Sequence, residues 1–168
     1  MSLHTLHPAP APVTPLRALQ KADAWLGALP RDVPLAVLRV ALAVPFFFSG
    51  LTKWEGFLTL SAGARFLFEE EFRLHLFGAE LPYPFPFAMA MAAGIAEIVL
   101  PIFLVLGLGT RFAALGLLAM TLVIQLTVPE GWANFHLPWA AMALALLVFG
   151  AGRASLDYPL GLSRPARA

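Results

Sequence analysis

The chemistry open to this chain rests on a few polar side chains set among apolar ones. Glu97 stands alone in Ala92-Ala93-Gly94-Ile95-Ala96-Glu97-Ile98-Val99-Leu100. A carboxyl group in such a run can form an ion pair, take up a proton or hydrogen-bond a polar ligand. Pro101, four residues on, has no N–H to give to the carbonyl of Glu97, so a carboxyl and a freed backbone carbonyl sit at one level. Arg39 is charged and also lies within an apolar run. His136, in Trp132-Ala133-Asn134-Phe135-His136-Leu137-Pro138-Trp139, could protonate, ligate a metal or hydrogen-bond a ligand carbonyl, although the flanking tryptophans favour an interfacial structural role. Lys53, after Ser49-Gly50-Leu51-Thr52, reads as a lysine that snorkels to lipid head groups.

The elements that position these groups follow from composition. The chain has 168 residues, 60% apolar and 12% charged, with a mean hydropathy of +0.78, against about 45–50% apolar and 25% charged in ordinary soluble domains. A soluble chain of this length has too little interior to bury such helices all round. Four runs approach the roughly 20 residues needed to cross a hydrocarbon core: Pro34–Leu51, Pro86–Gly109, Arg111–Val128 and Phe135–Gly152. Gly107-Leu108-Gly109-Thr110-Arg111 is too short to be anything but a turn at one membrane face, which makes the second and third spans antiparallel neighbours. The fold class expected is all-α, a four-helix transmembrane bundle occupying residues 31–160.

With the N-terminus inside, Arg17, Lys21, Arg31, Arg111, Arg153, Arg164 and Arg167 fall on that side and Lys53, Arg65 and Arg73 on the other. This bias places both termini on the cytoplasmic side. Residues 1–15, rich in proline and alanine, read as a disordered tail without a secretory signal, and 161–168 as a C-terminal tail. Residues 16–30 set Leu16, Leu19, Leu26 and Leu29 near one face, as in a surface helix anchored by Trp25. In the outer loop, Phe66–Phe77 sets Phe68, Phe72 and Leu76 one turn apart, which predicts a second interfacial helix.

Several function classes drop out. A formal charge of +1 with scattered arginines gives no nucleic-acid footprint. There is no cysteine, hence no disulfide, thiolate metal site or thiol chemistry of the chain's own. No two histidines are placed within the bundle to hold a haem, no metal-ligand spacing occurs, and no nucleotide-binding loop or nucleophile elbow is present. A transporter reading finds one central carboxylate and no pair of broken half-helices.

Arg39 and Glu97 lie roughly 8 Å and 18 Å from the cytoplasmic face at 1.5 Å rise per residue, a gap that an extended arginine and a leaning glutamate can close. Two readings of Glu97 stay open. Either it forms an interhelical ion pair with Arg39 that only fixes packing, or it lines a pocket and handles protons.

Three blocks together resemble the DoxX family of small bacterial membrane proteins. They are Leu38-Arg39-Val40-Ala41-Leu42 with Ser49-Gly50-Leu51-Thr52-Lys53; Gly94-Ile95-Ala96-Glu97 with Leu106 to Ala114; and Phe149-Gly150-Ala151-Gly152-Arg153-Ala154-Ser155-Leu156-Asp157. The resemblance implies a four-helix inner-membrane bundle and a link to electron transfer at the quinone pool, since relatives include membrane subunits of a thiosulfate:quinone oxidoreductase. Arg39, Glu97, Arg111, Arg153 and Asp157 match family positions. Ser49 stands near where the family often has histidine, and Ala151 where it commonly has proline.

On that basis the expected function is membrane subunit of a quinone-linked oxidoreductase. Glu97 and Arg39 are the candidate catalytic residues; Glu97, Arg39 and His136 are the candidate ligands of a quinone head group, with no haem or metal. The alternative is a non-catalytic anchor or assembly partner for metal- or oxidative-stress-handling proteins, contacted through the Thr52–Phe85 loop by Phe68 and Phe72. Expected partners are membrane lipids, a protein in the membrane or periplasm and, as an open question, further copies of the chain; nucleic acid is not among them.

Overall fold

The computed structural model describes residues 15–163. The expected disordered tail at 1–15 therefore lies outside the described residues except for Pro15, and the C-terminal tail is described only through Ser163. The described residues 15–30 form a unit of their own, holding helix α1 (Pro15–Gly27), on which no side chain is buried.

The second unit begins with α2 (Asp32–Leu51), an apolar helix with Asp32 in its first turn, where a carboxylate suits the positive end of the helix dipole. Strands β1 (Trp54–Gly56) and β2 (Thr59–Leu60) form a first small antiparallel hairpin. Helix α3 (Ala62–Phe66) is capped by Ser61, whose hydroxyl accepts from the Ala64 N–H at 3.2 Å, and continues as a π-helical turn over Leu67–Glu71. Strands β3 (Arg73–Leu76) and β4 (Ala79–Pro82) form a second hairpin. Then come α4 (Pro86–Leu106), α5 (Thr110–Thr127) and α6 (Leu137–Phe149), the last entered through helical turns that begin at Pro129.

The loop departs from the expected interfacial helix over 66–77. The helical part lies earlier, and Phe72 turns extended at ψ 130°, which sends Arg73–Leu76 into a strand. Phe77 and Gly78, at φ +52° and +83°, close the two-residue turn of that hairpin, a conformation matched to strand twist. Leu76 therefore shares a period of two with Leu74 rather than a helical spacing with Phe68 and Phe72.

Four stretches are long and apolar enough to cross a membrane: Asp32–Leu51, Pro86–Leu106, Thr110–Thr127 and Pro129–Phe149. At most 28% of the most apolar window in any of them is buried inside the protein, and Val37, Phe48, Phe103, Leu122 and Val148 are among the large apolar side chains left exposed on them. Such a surface is the mark of a hydrocarbon solvent, and the chain is a multi-pass membrane protein built as an all-α four-span bundle.

The turn between α4 and α5 shows how tightly the sequence punctuates these helices. Gly107 adopts φ +67°, its N–H reaching the Leu104 carbonyl at 3.1 Å while the Leu108 N–H reaches Phe103 at 2.9 Å. This double bond pattern closes a helix C-terminus and needs a left-handed residue that only glycine adopts without cost. The core between the four spans contains Leu42, Phe46, Leu104, Leu117 and Leu146, and a second cluster of Leu60, Phe68, Tyr83 and Ala90 seals the end that carries the hairpins.

The opposite end is closed by residues 150–163, a C-terminal strap. The Leu156 and Asp157 N–H groups bond the Leu106 and Gly107 carbonyls at 3.2 and 2.8 Å, and the Arg153 N–H bonds Asp32 Oδ1 at 2.6 Å. Asp157 offers its carboxylate to the N–H groups of Gly109 and Thr110 at 2.7 and 2.9 Å, capping α5. Arg111 reaches across to the last carbonyls of α6, Leu147 and Val148, at 3.0 and 3.3 Å.

Candidate functional site

Glu97 is buried, and its partner is Lys53. The Lys53 Nζ donates to Glu97 Oε2 at 2.5 Å and to the Ser49 hydroxyl at 3.1 Å. The expected Arg39–Glu97 pair does not form. Arg39, also buried, donates to the Ala154 carbonyl at 2.6 Å and the Val105 carbonyl at 3.3 Å, at the strap end near Asp157. Its Nε is buried without a partner among the described residues.

The reason lies in side-chain direction. Each Cα–Cβ bond on a helix tilts toward that helix's N-terminus. Arg39 on α2 therefore leans toward the strap end, away from the bundle's middle, whereas Lys53, just past the other end of α2, folds back into it. α4 runs antiparallel to α2, so Glu97 leans toward Lys53. Gly50 permits the approach: a Cβ there would meet Cβ and the carbonyl carbon of Glu97 at 3.0 Å. Gly94 similarly leaves room for the Trp54 ring, which a Cβ would meet at 2.6 Å.

The Lys53–Glu97 pair forms part of the wall of a cavity of about 440 Å³ among α2, α4, α5 and the first turns of α6, at the hairpin end of the bundle. That volume falls in the range of about 300–1,000 Å³ typical of small-molecule sites. Its apolar wall includes Phe46, Phe68, Phe72, Met120, Ile124 and Trp139, while Ala92, Ala93, Ala96 and Ala119 leave the space open by being small. Besides the ion pair and Ser49, the polar groups on it are Tyr83 and Thr127, whose hydroxyls are bonded to each other at 2.5 Å. Burial pushes the Tyr83 hydroxyl above its ordinary pKa, offset in part by the bond to Thr127. The site thus has one wall that can donate from an ammonium and accept on a carboxylate, a neutral hydroxyl pair, and otherwise water-excluding surface.

A DoxX family model matches residues 35–130 of this chain, just over half of its length. The chain belongs to the DoxX family. The matched region holds Arg39, Lys53 and Glu97 and every residue of the cavity wall except Trp139, whereas the strap with Asp157 lies beyond it. No curated protein and no solved structure matches the chain.

Of the residues that sequence reasoning proposed for this DoxX site, only Glu97 lines the cavity. Arg39 serves the strap end. His136 is buried and absent from the cavity wall, its Nδ1 bonded to Gln125 Oε1 at 2.7 Å and its ring tilted against the wall residue Trp139 at 5.5 Å between centroids. A side chain at Gly131 would strike its imidazole at 2.5 Å. Lys53, Ser49, Tyr83 and Thr127 were missed as site residues. The signal for Lys53 was available in principle, since a lysine in the turn just past α2, four residues after Ser49, can fold back along the helix; Tyr83 and Thr127 meet only through tertiary folding.

Proposed function

We propose that this DoxX protein is the membrane subunit of a quinone-linked oxidoreductase and receives the quinone head group in the cavity beside Lys53 and Glu97. The observation that carries the reading is a largely buried, 2.5 Å ion pair on the wall of a mainly apolar cavity inside a membrane-spanning bundle. A bound quinone would supply two-electron, two-proton redox chemistry. Lys53 would donate a hydrogen bond to a ring carbonyl, and Glu97 would give or take the accompanying proton. Ser49 steadies the ammonium, and the aromatic and methionine side chains keep water away from the exchange. Electrons come from a partner protein. The arginine bias supports cytoplasmic termini, which puts the cavity in the outer half of the bilayer, and DoxX membership supports a bacterial inner membrane.

The test is purification from native membranes followed by mass spectrometry of extracted lipids and of associated proteins. Co-purifying quinone, its loss in Glu97→Gln and Lys53→Met proteins that still fold, and a stable redox partner are expected. Recovery of folded wild-type protein that neither carries nor takes up quinone would overturn the reading.

A second reading, an assembly anchor for another protein, is favoured by the aromatic residues at the hairpin end. Phe57, Phe77 and Phe85 are almost fully exposed there. Phe68 and Phe72, the contacts expected from sequence, pack instead against each other at 5.2 Å and, for Phe68, against Tyr83 at 5.4 Å. Serine at Phe57 and Phe77 should then release a bound protein, and its retention would count against this reading.

A further inference from the structure

We infer that the cavity opens sideways into the bilayer between α4 and α5, and that its ligand is a lipid-soluble molecule whose apolar tail lies in that gap. The inference rests on the head-group reading above and adds the route and the tail. α4 and α5 are tied by the Gly107–Gly109 turn and touch where Gly116 faces Leu100, a contact so close that a Cβ on Gly116 would meet the leucine at 2.7 Å. Farther from the turn the facing positions become Ala92 and Ala96 on α4 and Ala119 and Val123 on α5, all of them on the cavity wall. Ala92, Ala119 and Val123 are also exposed.

Their place on the helices shows where that exposure leads. Ala92 continues the exposed row Ile95, Val99 and Ile102 of α4, and Ala119 continues the exposed row Leu115 and Leu122 of α5, at the three- and four-residue spacing of a single helix face. Those rows are the apolar surface that the bundle presents to hydrocarbon. The same alanines therefore border both the cavity and the lipid. A polar head reaching Lys53 and Glu97 by this route leaves any attached chain between the two helices, where alanine and valine make an apolar slot and offer no hydrogen bond. A ligand arriving from water would meet no need for such a slot.

The chain contains no cysteine, so single-cysteine reporters are unambiguous. Ala119→Cys and Val123→Cys proteins in lipid nanodiscs are labelled with an environment-sensitive bimane and titrated with a long-tailed isoprenoid quinone or with its tail-less head group; Val40→Cys, exposed on α2, serves as the remote control. Quenching of native tryptophan fluorescence reports head-group binding separately. Brominated acyl chains should quench the label at all three positions, and the long-tailed quinone should cut that quenching at least twofold at 119 and 123 but not at 40, while the tail-less compound leaves it unchanged. Lack of lipid quenching at 119 and 123 overturns the lateral opening. Tryptophan quenching by both quinones with equal effects at 119 and 123 overturns the tail passage while the head-group reading stands. No tryptophan quenching by either quinone overturns the head-group reading and this inference with it.

Discussion

Replacing Lys53 by methionine strands the Glu97 carboxylate inside the bundle. The two side chains retain only 13% and 6% of their exposure, and their oxygen and nitrogen are 2.5 Å apart. Removing one member of a buried pair costs about 3–5 kcal/mol, because the remaining charge loses its partner without regaining water. Lys53 keeps some access to solvent, which argues for the lower end, about 3 kcal/mol for Lys53→Met. Glu97→Gln leaves an ammonium that can swing outward and an amide that still accepts, so about 1.5 kcal/mol is expected. The double variant holds no charge there and should lose about 1.5 kcal/mol, which makes the coupling between the positions about 3 kcal/mol. Denaturant unfolding in micelles, followed by tryptophan fluorescence, measures each corner of the cycle. A parallel cycle of Arg39→Met with Glu97→Gln should be additive within about 0.5 kcal/mol, since the two groups share no partner. Coupling below about 0.5 kcal/mol for Lys53 with Glu97, or strong coupling for Arg39 with Glu97, would refute the account of the site.

Asp157→Ala should cost about 1–2 kcal/mol by uncapping α5, measurable as a lower midpoint in the same unfolding assay; Asp157→Asn, which keeps one acceptor, should cost less. Gly50→Ala should destabilise by about 1–3 kcal/mol through overpacking against Glu97 and Ile98 and should weaken quinone binding, whereas Gly63→Ala, with no atom in the way, should do neither. Tyr83→Phe should lose about 1 kcal/mol at neutral pH with the bond to Thr127. Because folding raises the Tyr83 pKa, the stability tied to its neutral hydroxyl is complete below the unfolded value of 10.0 and is lost as pH rises above it. Alkaline unfolding of wild type should therefore steepen above pH 10, and that part of the slope should vanish in Tyr83→Phe.

The spans were legible because apolar length is a one-dimensional signal, and the α4–α5 turn because Gly107 and Gly109 announce it. Glu97 was legible as a buried acid for the same reason. Its partner was not. Counting rise along α2 and α4 gives the heights of Arg39 and Glu97 but ignores the lean of side chains, and a lysine just past a helix end reads as snorkelling to head groups when it in fact folds back to Ser49 and Glu97. The β3–β4 hairpin was hidden because Phe68, Phe72 and Leu76 satisfy a helical spacing by coincidence while Phe77-Gly78 supplies the turn. Asp157 could be matched to a family position, yet its work on the N–H groups of Gly109 and Thr110 joins residues far apart in the chain and follows only from the strap.

The Lys53–Glu97 contact also bears on how the protein is made. α2 leaves the ribosome first, with its lysine at the trailing end, and α4 follows about one hairpin-rich loop later with an acid at its middle. Alone in the membrane that acid would cost about 2.5–3.5 kcal/mol, a penalty that the apolar remainder of α4 has to outweigh. An acid that meets Lys53 on entry escapes most of that penalty, so a nascent chain carrying Lys53→Met should insert α4 less readily, a difference that a glycosylation-reporter assay of membrane insertion would read.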